Sequence, residues 1–229
     1  MKKPLKIIGI NTSARGKMSN TYFLLKKAFD SIKDKNISKK IIVASELRLK
    51  PCQHHYSTNA KMCNHPCVIT QNDKKDQMHI LYDEILSADI VIFSTPIYWN
   101  NHSQLMQLIV ERLTSLENAN STHKKVLVKN KLGAIMVVGH EDGYQHVVGN
   151  LMSFLTEMGL IFGPQSYAAW VGESDELTHK DKKRIETDKS IHETFTDLVK
   201  NQINFAKNIM YCGKCNHKLD YEHVSKRKV

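Results

Sequence analysis

The residues best suited to chemistry lie in a polar loop near the N-terminus, between an apolar run at residues 7–10 and an amphipathic helix that begins at residue 20. A strand that enters a helix through such a loop aims free backbone N–H groups and the positive end of the helix dipole at one point. Phosphate is the ligand that this arrangement favours. The side chains that could complete the site are a cation, an amide and three hydroxyls: Arg15, Asn20, Ser13, Ser19 and Thr21.

This loop lacks the glycine patterns of two well-known phosphate sites. It contains neither G-x-x-x-x-G-K-[ST] nor G-x-G-x-x-G, so it is not a nucleoside-triphosphate P-loop or a dinucleotide fingerprint. A loop that relies on side-chain hydroxyls suits one phosphate monoester better than a pyrophosphate. The alternative interpretation is an ordinary turn whose serine or asparagine caps the following helix.

The elements that must position this loop alternate between apolar runs of strand length and segments of helical periodicity. After the first strand, the predicted strands cover residues 39–44, 88–95, 132–139 and 160–169. The predicted helices begin with the one at residue 20 and then cover about residues 78–86, 105–116, 147–158 and 181–210. Continuously apolar strands are buried on both faces, which predicts a doubly wound α/β fold with five parallel strands in the order 2-1-3-4-5.

The domain organisation follows from the segments that do not fit this alternation. Residues 1–210 are predicted to form one domain, and polar residues 46–76, with three cysteines and three histidines, are predicted to be an excursion from it. Residues 118–130 read as a basic surface loop. Residues 211–229 read as a basic tail that contains a C-x-x-C pair.

Two further loops should share the site, because ligands of such sheets bind beyond the carboxyl ends of the strands. In the second loop, residues 95–103, Pro96 disfavours a helix and two large aromatics, Tyr98 and Trp99, stand where a loop should be exposed. Asn100 can hydrogen-bond the edge of a heterocycle. These residues indicate a planar ring above a phosphate. Packing of the two aromatics against a neighbouring subunit or helix is the alternative.

The third loop, residues 139–144, offers two glycines and a tyrosine. Gly139 and Gly143 permit close approach of the backbone to a ligand, and Tyr144 could cap a ring. Any turn between a strand and a helix can contain glycine, so this loop alone does not indicate a ligand site. We assign it to the site because of the residues in the other two loops.

With these loops in view, the chain resembles the flavodoxin-like NAD(P)H-dependent FMN reductases, a group that includes quinone-reductase-type proteins and iron–sulfur flavoproteins. The resemblance rests on the polar N-terminal loop and on STPIYWNNHSQLMQLIVERL from residue 94, and it extends over about residues 6–158. Ala14 is a departure, since the family often has proline there, and the loop carries an extra residue or two, so single phosphate contacts can shift by one position.

The resemblance implies bound FMN and assigns two sets of contacts to it. The phosphate would be held by Ser13, Arg15, Ser19, Asn20 and Thr21. The edge of the isoalloxazine ring would meet Pro96, Ile97, Tyr98, Trp99 and Asn100, and Gly139 and the residues after it would touch the ring from the other side.

The implied activity is hydride transfer from NADH or NADPH to the flavin and on to a quinone, a flavin or another small-molecule acceptor, in a homodimer or homotetramer. No catalytic side chain is required for the hydride step, because the cofactor carries the chemistry. One alternative is an electron-transfer flavoprotein with an iron–sulfur or zinc site. Another is a basic binding module on the same scaffold that has lost its flavin.

The cysteines bear on the metal alternative. Cys52, Cys63 and Cys67 have the spacing C-x10-C-x3-C, whereas a [4Fe–4S] cluster normally takes four thiolates. In the tail, Cys212 and Cys215 form half of a zinc site, whose other half could come from the cysteines and histidines of residues 46–76. The alternative is a tail with two free thiols.

Charge and composition restrict the partners. The formal net charge is +10, but the lysines are scattered through loops with little aromatic interleaving, which favours anionic small molecules over nucleic acid. No apolar run approaches the roughly 18 residues of a membrane span, and the N-terminus does not resemble a secretory signal. The chain has five cysteines, and an odd number argues against a framework of disulfides. This indicates a reducing compartment, so we predict a cytoplasmic protein.

Overall fold

The computed structural model describes residues 4–140, 143–173 and 179–210. Its strands are β1 (Leu5–Asn11), β2 (Ile37–Val43), β3 (Ile90–Tyr98), β4 (Asn101–His102), β5 (Leu132–Gly139) and β6 (Tyr167–Val171). Five of them form a parallel sheet in the order β2-β1-β3-β5-β6, and the short β4 pairs antiparallel with β3. The predicted doubly wound sheet and its order are therefore confirmed, with β4 as an addition that the sequence did not predict.

Helices cover both faces of this sheet. They are α1 (Asn20–Ser31), α2 (His55–Thr58), α3 (Val68–Asn72), α4 (Met78–Ser87), α5 (Gln104–His123), α6 (Tyr144–Met158), α7 (His179–Thr187) and α8 (Lys189–Met210). One apolar core joins the sheet to α4, α5 and α6, and the other joins it to α1, α7 and α8. Neighbouring strand residues serve opposite cores, as Ile7 and Ile8 do in β1, which is why these strands are apolar at nearly every position. Among the described helices, none is long and apolar enough to cross a bilayer.

β3 runs past its predicted end at residue 95 and includes Pro96. A proline is tolerated here because its missing N–H points to the side where β1 has already ended. The last β1 partner of β3 is Ser94, whose carbonyl accepts a hydrogen bond from Thr12 N at 2.9 Å. Pro96 keeps its register with Val138 on the β5 side.

The prediction of a surface loop over residues 118–130 is wrong in its first part, because α5 continues to His123. Polar residues fill this extension, so the apolar periodicity gives no sign of it. Asn118 is buried, and its side-chain nitrogen donates to the carbonyls of Ala60 and Cys63 at 2.7 and 2.6 Å. The last turns of α5 are thus helical because they bind the polar excursion.

Two other predicted boundaries also shift. The strand predicted at residues 160–169 is the shorter β6, preceded by one isolated bridge at Ile161, because Gly163 and Pro164 interrupt the extended run. The single helix predicted at about 181–210 is two helices, α7 and α8. They break at Asp188, whose carboxylate accepts the backbone N–H of Ser190 at 2.9 Å and so caps the second helix.

A buried ion pair ties the excursion of residues 46–76 to α5. The guanidinium of Arg112 lies 2.7 Å from the carboxylate of Asp76, and both side chains are fully buried. Arg112 also donates to the carbonyl of Lys50 and to Thr70 Oγ1, each at 2.7 Å. Burial alone would raise the pKa of Asp76, but hydrogen bonds from Arg112, the Lys50 N–H and Thr70 hold that pKa below its ordinary value.

We expect Asp76→Ala to lower the free energy of unfolding by about 3–5 kcal/mol, because it leaves the guanidinium of Arg112 buried without its counter-ion. Urea denaturation checks this value. The matched control is Asp73→Ala in the same segment, whose partially exposed ion pair with Lys50 should contribute far less. Equal losses for the two variants would contradict the assignment.

The same ion pair predicts a pH dependence with a definite sign. Because folding lowers the pKa of Asp76, its contribution to stability is complete above the unfolded pKa of about 4 and is lost as the pH falls further. The stability of Asp76→Ala should therefore decline less steeply than that of the parent chain below pH of about 4. Parallel declines in the two proteins would show that Asp76 is not responsible for this loss of stability at low pH.

Candidate functional site

The loop between β1 and α1 is compact, and its polar residues are largely buried. Ser13, Ser19 and Thr21 are almost completely buried, Asn20 is half-buried and Arg15 is exposed. The loop turns at Gly16, which has a φ of +55° and lies against Ser45, just after the end of β2. The glycine therefore supplies a left-handed conformation where a side chain would be strained.

Ser19 is the N-cap of α1. Its Oγ accepts from the backbone N–H of Tyr22 at 3.1 Å and donates to the carbonyl of Gly16 at 2.7 Å. The hydroxyl proton of Ser19 is thus already used. Within the described part of the chain, no hydrogen bond uses the backbone N–H groups of Asn20 and Thr21. These two N–H groups, at the positive end of the α1 dipole, are free to bind an anion.

Ser103 joins this loop to the second one. It is buried at the N-cap of α5, where its Oγ accepts from Met106 N at 3.2 Å and donates to the carbonyl of Thr12 at 2.8 Å. Its backbone N–H donates to Thr95 Oγ1 at 3.0 Å, and Thr12 Oγ1 donates to the carbonyl of Ser94. One serine therefore fixes the distance between the β1–α1 loop and the end of β3.

The second loop is a β-hairpin rather than an irregular connection. Trp99 and Asn100 have φ values of +50° and +59°, so two consecutive left-handed residues make the tight turn between β3 and β4. Pro96 and Ile97 are buried at the end of β3. Tyr98 is 46% exposed and Trp99 at the tip is 96% exposed. The predicted exposure of both aromatics is present in the structure.

The two glycines of the third loop allow it to touch this hairpin. A Cβ at Gly139 would lie 2.8 Å from the Ile97 side chain. Gly143, with a φ of +109°, lies at the N-cap of α6, where a Cβ would be 2.7 Å from Asn100 Oδ1. Their close approach is to Ile97 and Asn100, which are themselves predicted ring contacts.

Tyr144 is the first residue of α6 and lines an open cleft of about 560 Å³ at the β6 edge of the sheet. Its ring lies 6.5 Å from that of Tyr167, and Thr194 and Asp197 of α8 line the opposite side. The residue predicted to end the third loop therefore begins α6, and the cleft that it lines extends away from the β1–α1 loop along the outer strand.

Together, the three loops lie at the carboxyl ends of β1, β3 and β5, which are adjacent strands. The arrangement can hold an anion at the start of α1 and a flat group between the hairpin and the third loop. The individual contacts of the predicted residues with a ligand stay predictions. Sequence reasoning missed Thr12 and Ser103. The position of Ser103 just before an apolar periodic run is a capping signal, but its contact with Thr12, 91 residues away, leaves no local signal.

His102 in β4 is the histidine closest in sequence to this hydroxyl network. Burial lowers the pKa of His102, a hydrogen bond to the carbonyl of Ser103 opposes this, and the nearby His146 lowers it further. The ring is therefore neutral at pH 7, and its Nδ1 lies 3.3 Å from the Ser103 carbonyl, which accepts from it. His102 therefore contributes a hydrogen bond within the hairpin segment and no positive charge to the site.

The three cysteines of the excursion border one small cavity of about 10 Å³, roughly the room for one water. Burial raises the pKa of Cys63 to about 11, and the nearby Cys52 and Cys67 raise it as well. A cysteine binds a metal as a thiolate, and a [4Fe–4S] cluster normally takes four of them. In the described ranges no cluster of three or more Cys, His, Asp or Glu is placed to hold a metal ion. The described cysteines supply at most three of those four thiolates, and the predicted pair Cys212 and Cys215 lies outside the described residues.

Comparison with known proteins agrees with this geometry. Residues 5–174 match the family model described as NADPH-dependent FMN reductase. An iron–sulfur flavoprotein of Archaeoglobus fulgidus is 25% identical over 205 residues, covering 88% of this chain and 95% of that protein. The 8-demethyl-8-aminoriboflavin-5'-phosphate synthase of Streptomyces davaonensis is 30% identical over 99 residues, and the match spans only 43% of this chain and 38% of that protein.

A solved structure shows the likeness of fold over most of the chain. The crystal structure of RosB with a bound intermediate, 8-demethyl-8-formylriboflavin-5'-phosphate, superposes with a TM-score of 0.72 and covers 90% of this chain and 80% of that one. The sequence identity is 22%, so this likeness concerns the fold alone.

We expect Ser103→Ala to lower the free energy of unfolding by about 2 kcal/mol, because it removes a helix cap and leaves buried partners at Thr12 unpaired. Thermal unfolding checks this, and faster amide exchange in residues 12–19 should accompany it. The matched control is Ser153→Ala on the exposed face of α6, which should leave both measurements unchanged. Unchanged exchange in Ser103→Ala would contradict the linking role of Ser103.

A glycine pair in and beside α6 tests the third loop. Gly143→Ala should lower stability by about 1–2 kcal/mol, because the new Cβ is strained at positive φ and meets Asn100. Gly149→Ala has open space around its Cβ inside α6 and should raise stability by about 0.5–1 kcal/mol. Melting temperatures that move in the same direction would refute the role given to Gly143.

Proposed function

Because the chain belongs to the NADPH-dependent FMN reductase family, flavodoxin-like oxidoreductases that bind FMN, we propose that it takes hydride from NADH or NADPH and passes the electrons to a small-molecule acceptor such as a quinone or a free flavin. When bound, FMN supplies the hydride-accepting and electron-donating chemistry. The work of the protein is to hold the cofactor and to position the two substrates in turn.

The observation that carries this proposal is the set of unused donors at the start of α1. The N–H groups of Asn20 and Thr21 meet there, and the hydroxyl proton of Ser13 is free to join them because Ser13 Oγ only accepts, from Arg15 N at 3.3 Å. Ser94 beside Asn11 adds a fully buried hydroxyl with no hydrogen bond to any described residue. This donor set fits a phosphate monoester, so the residues suit FMN.

The role of each phosphate-loop residue differs in this proposal. Ser13, Asn20 and Thr21 would hydrogen-bond the phosphate, and the exposed Arg15 would fold over it as a cation. Ser19 would act through the helix, since its Oγ already serves as the cap. An arginine with rotational freedom can adapt to the dianion and form two hydrogen bonds to it.

The hairpin and the third loop would bind the ring. Buried Pro96 and Ile97 offer a rigid strand end, and Tyr98 and Trp99 offer aromatic faces. Asn100 lies against Gly143, where a side chain would displace it. Gly139 and Tyr144 would border the ring on the far side. The 96% exposure of Trp99 supports a homodimer or homotetramer in which a second copy covers the hairpin. We place this enzyme in the cytoplasm, since its thiols suit a reducing compartment.

The first experiment is an absorption spectrum of the purified chain, reconstituted with FMN under anaerobic conditions, before and after NADPH or NADH. We expect flavin bands that bleach when the nicotinamide is added and return when a quinone follows. A chain that takes up no FMN, or whose flavin is not reduced by either nicotinamide, would overturn the proposal. Iron and sulfide analysis of the same sample tests the electron-transfer alternative with a metal centre.

Arg15→Gln tests the phosphate contact directly. We expect the dissociation constant for FMN to rise by about tenfold, equivalent to about 1.4 kcal/mol, with no change for riboflavin, which lacks the phosphate. Fluorescence quenching of each flavin measures both constants. The matched control is Lys17→Gln, whose side chain is paired with Glu46 and should not affect either flavin. Equal losses for FMN and riboflavin would contradict a phosphate contact.

A further inference from the structure

A buried carboxylate lies behind the third loop. Asp181 on α7 is only 2% exposed. Its Oδ1 accepts the backbone N–H of Glu173 in a long contact of 3.4 Å, and its Oδ2 accepts no hydrogen bond from any described residue. Burial of a carboxylate is strongly unfavourable unless a partner compensates for the lost hydration. An oxygen left in this state indicates that a partner must face it.

The space for this carboxylate depends on a glycine, Gly172. A Cβ at Gly172 would lie 2.0 Å from Asp181 Oδ2, so only glycine at this position admits the side chain. The backbone N–H of Gly172 donates to the carbonyl of Gly139 at 2.8 Å. Asp181 is therefore held directly against the end of β5, where the third loop begins.

The group that faces Asp181 is His140, the residue after Gly139. Its Nδ1 lies 3.5 Å from Asp181 Oδ2, and its side chain is 48% exposed. One edge of the imidazole thus faces a buried acceptor while the rest remains open to solvent. A carboxylate can only accept, so a hydrogen bond across this 3.5 Å contact would come from Nδ1–H, which would leave Nε2 as the nitrogen available to a ligand.

We propose that His140, oriented by Asp181, donates a proton from Nε2 to the electron acceptor at the carboxyl end of the sheet. This rests on the proposed function, because it concerns the second half of that reaction. His140 follows the strand between β3, which carries the hairpin, and β6, so it borders the place predicted for the ring and the acceptor. Asp181 is the positioning residue, since it acts only through the orientation of His140.

The step balances for a quinone. With FMN bound, the cofactor would supply a hydride to the quinone, which would form one O–H bond and give a hydroquinone monoanion. The Nε2–H bond of the protonated imidazole then breaks and the second O–H bond forms, which gives the neutral hydroquinone. The exposed half of the imidazole regains its proton from water. The electrons come from NADH or NADPH, as in the proposed function.

Two acceptors separate this role from the rest of the reaction. Benzoquinone needs protons as it is reduced, whereas ferricyanide accepts electrons alone. We expect His140→Gln to lower kcat with benzoquinone by about 100-fold, within the range of general acid catalysis, and to leave kcat with ferricyanide and the rate of flavin bleaching by NADPH unchanged. Asp181→Asn should lower the benzoquinone rate by a smaller factor, also with ferricyanide unchanged.

The matched control is His146→Gln, an exposed histidine on α6 near the same edge, which should change neither rate. A His140→Gln variant whose ratio of benzoquinone to ferricyanide turnover equals that of the parent would overturn the proposal. Failure of the proposed function looks different, because then the parent chain itself would not be bleached by NADPH.

A second readout needs no cofactor and no turnover. Nitrogen-15 NMR of labelled histidine in the flavin-free chain reports which ring nitrogen of His140 carries the proton in the neutral form. We expect the Nδ1–H tautomer in the parent chain and a shift towards Nε2–H in Asp181→Asn, whose amide can donate to Nδ1. An Nε2–H tautomer in the parent chain would overturn the orientation by Asp181.

Discussion

The site depends on one hydroxyl group, that of Ser103. It caps α5 and, in the same position, holds the carbonyl of Thr12 at 2.8 Å, so the first and second loops cannot move independently. Both partners are buried, where an unpaired donor or acceptor would be costly. The spacing between the start of α1 and the hairpin is therefore set by the core and does not depend on a ligand. Loops that are already ordered favour cofactor binding, because none of the binding free energy is lost in ordering them.

The sequence was sufficient for the fold because the strands have an unambiguous pattern. Strands such as β5, apolar at every position and separated by amphipathic helices, leave little choice but a parallel sheet between two helical layers. The prediction failed where polar residues do structural work. The end of α5 is helical because Asn118 binds the excursion, and Pro96 lies within β3 because β1 has ended beside it. Both depend on contacts between distant segments, which local patterns do not record.

In the candidate site, too, some features were visible in the sequence and others only in the structure. The polar character of the β1–α1 loop and the aromatic second loop were visible in the sequence, and the structure brings both to one edge of the sheet. The roles within the loops were less visible. Ser19 is predicted to hold phosphate, and in the structure its hydroxyl donates to the Gly16 carbonyl while its oxygen caps α1, so its contact with phosphate stays a prediction. Gly143 was predicted to let the backbone approach a ligand, and it approaches Asn100. Residue type therefore identified the loops, whereas the hydrogen bonds and close approaches within them are visible only in the structure.

The burial of Cys63 has a consequence for the durability of the protein. A flavin that is reduced in air generates hydrogen peroxide close to the polypeptide, and peroxide attacks thiolates rather than thiols. Burial raises the pKa of Cys63 to about 11, so at neutral pH this side chain is almost entirely in its unreactive thiol form. This thiol is therefore a poor target for peroxide. Burial thus protects Cys63 through its protonation state, without the need for a shielding partner protein.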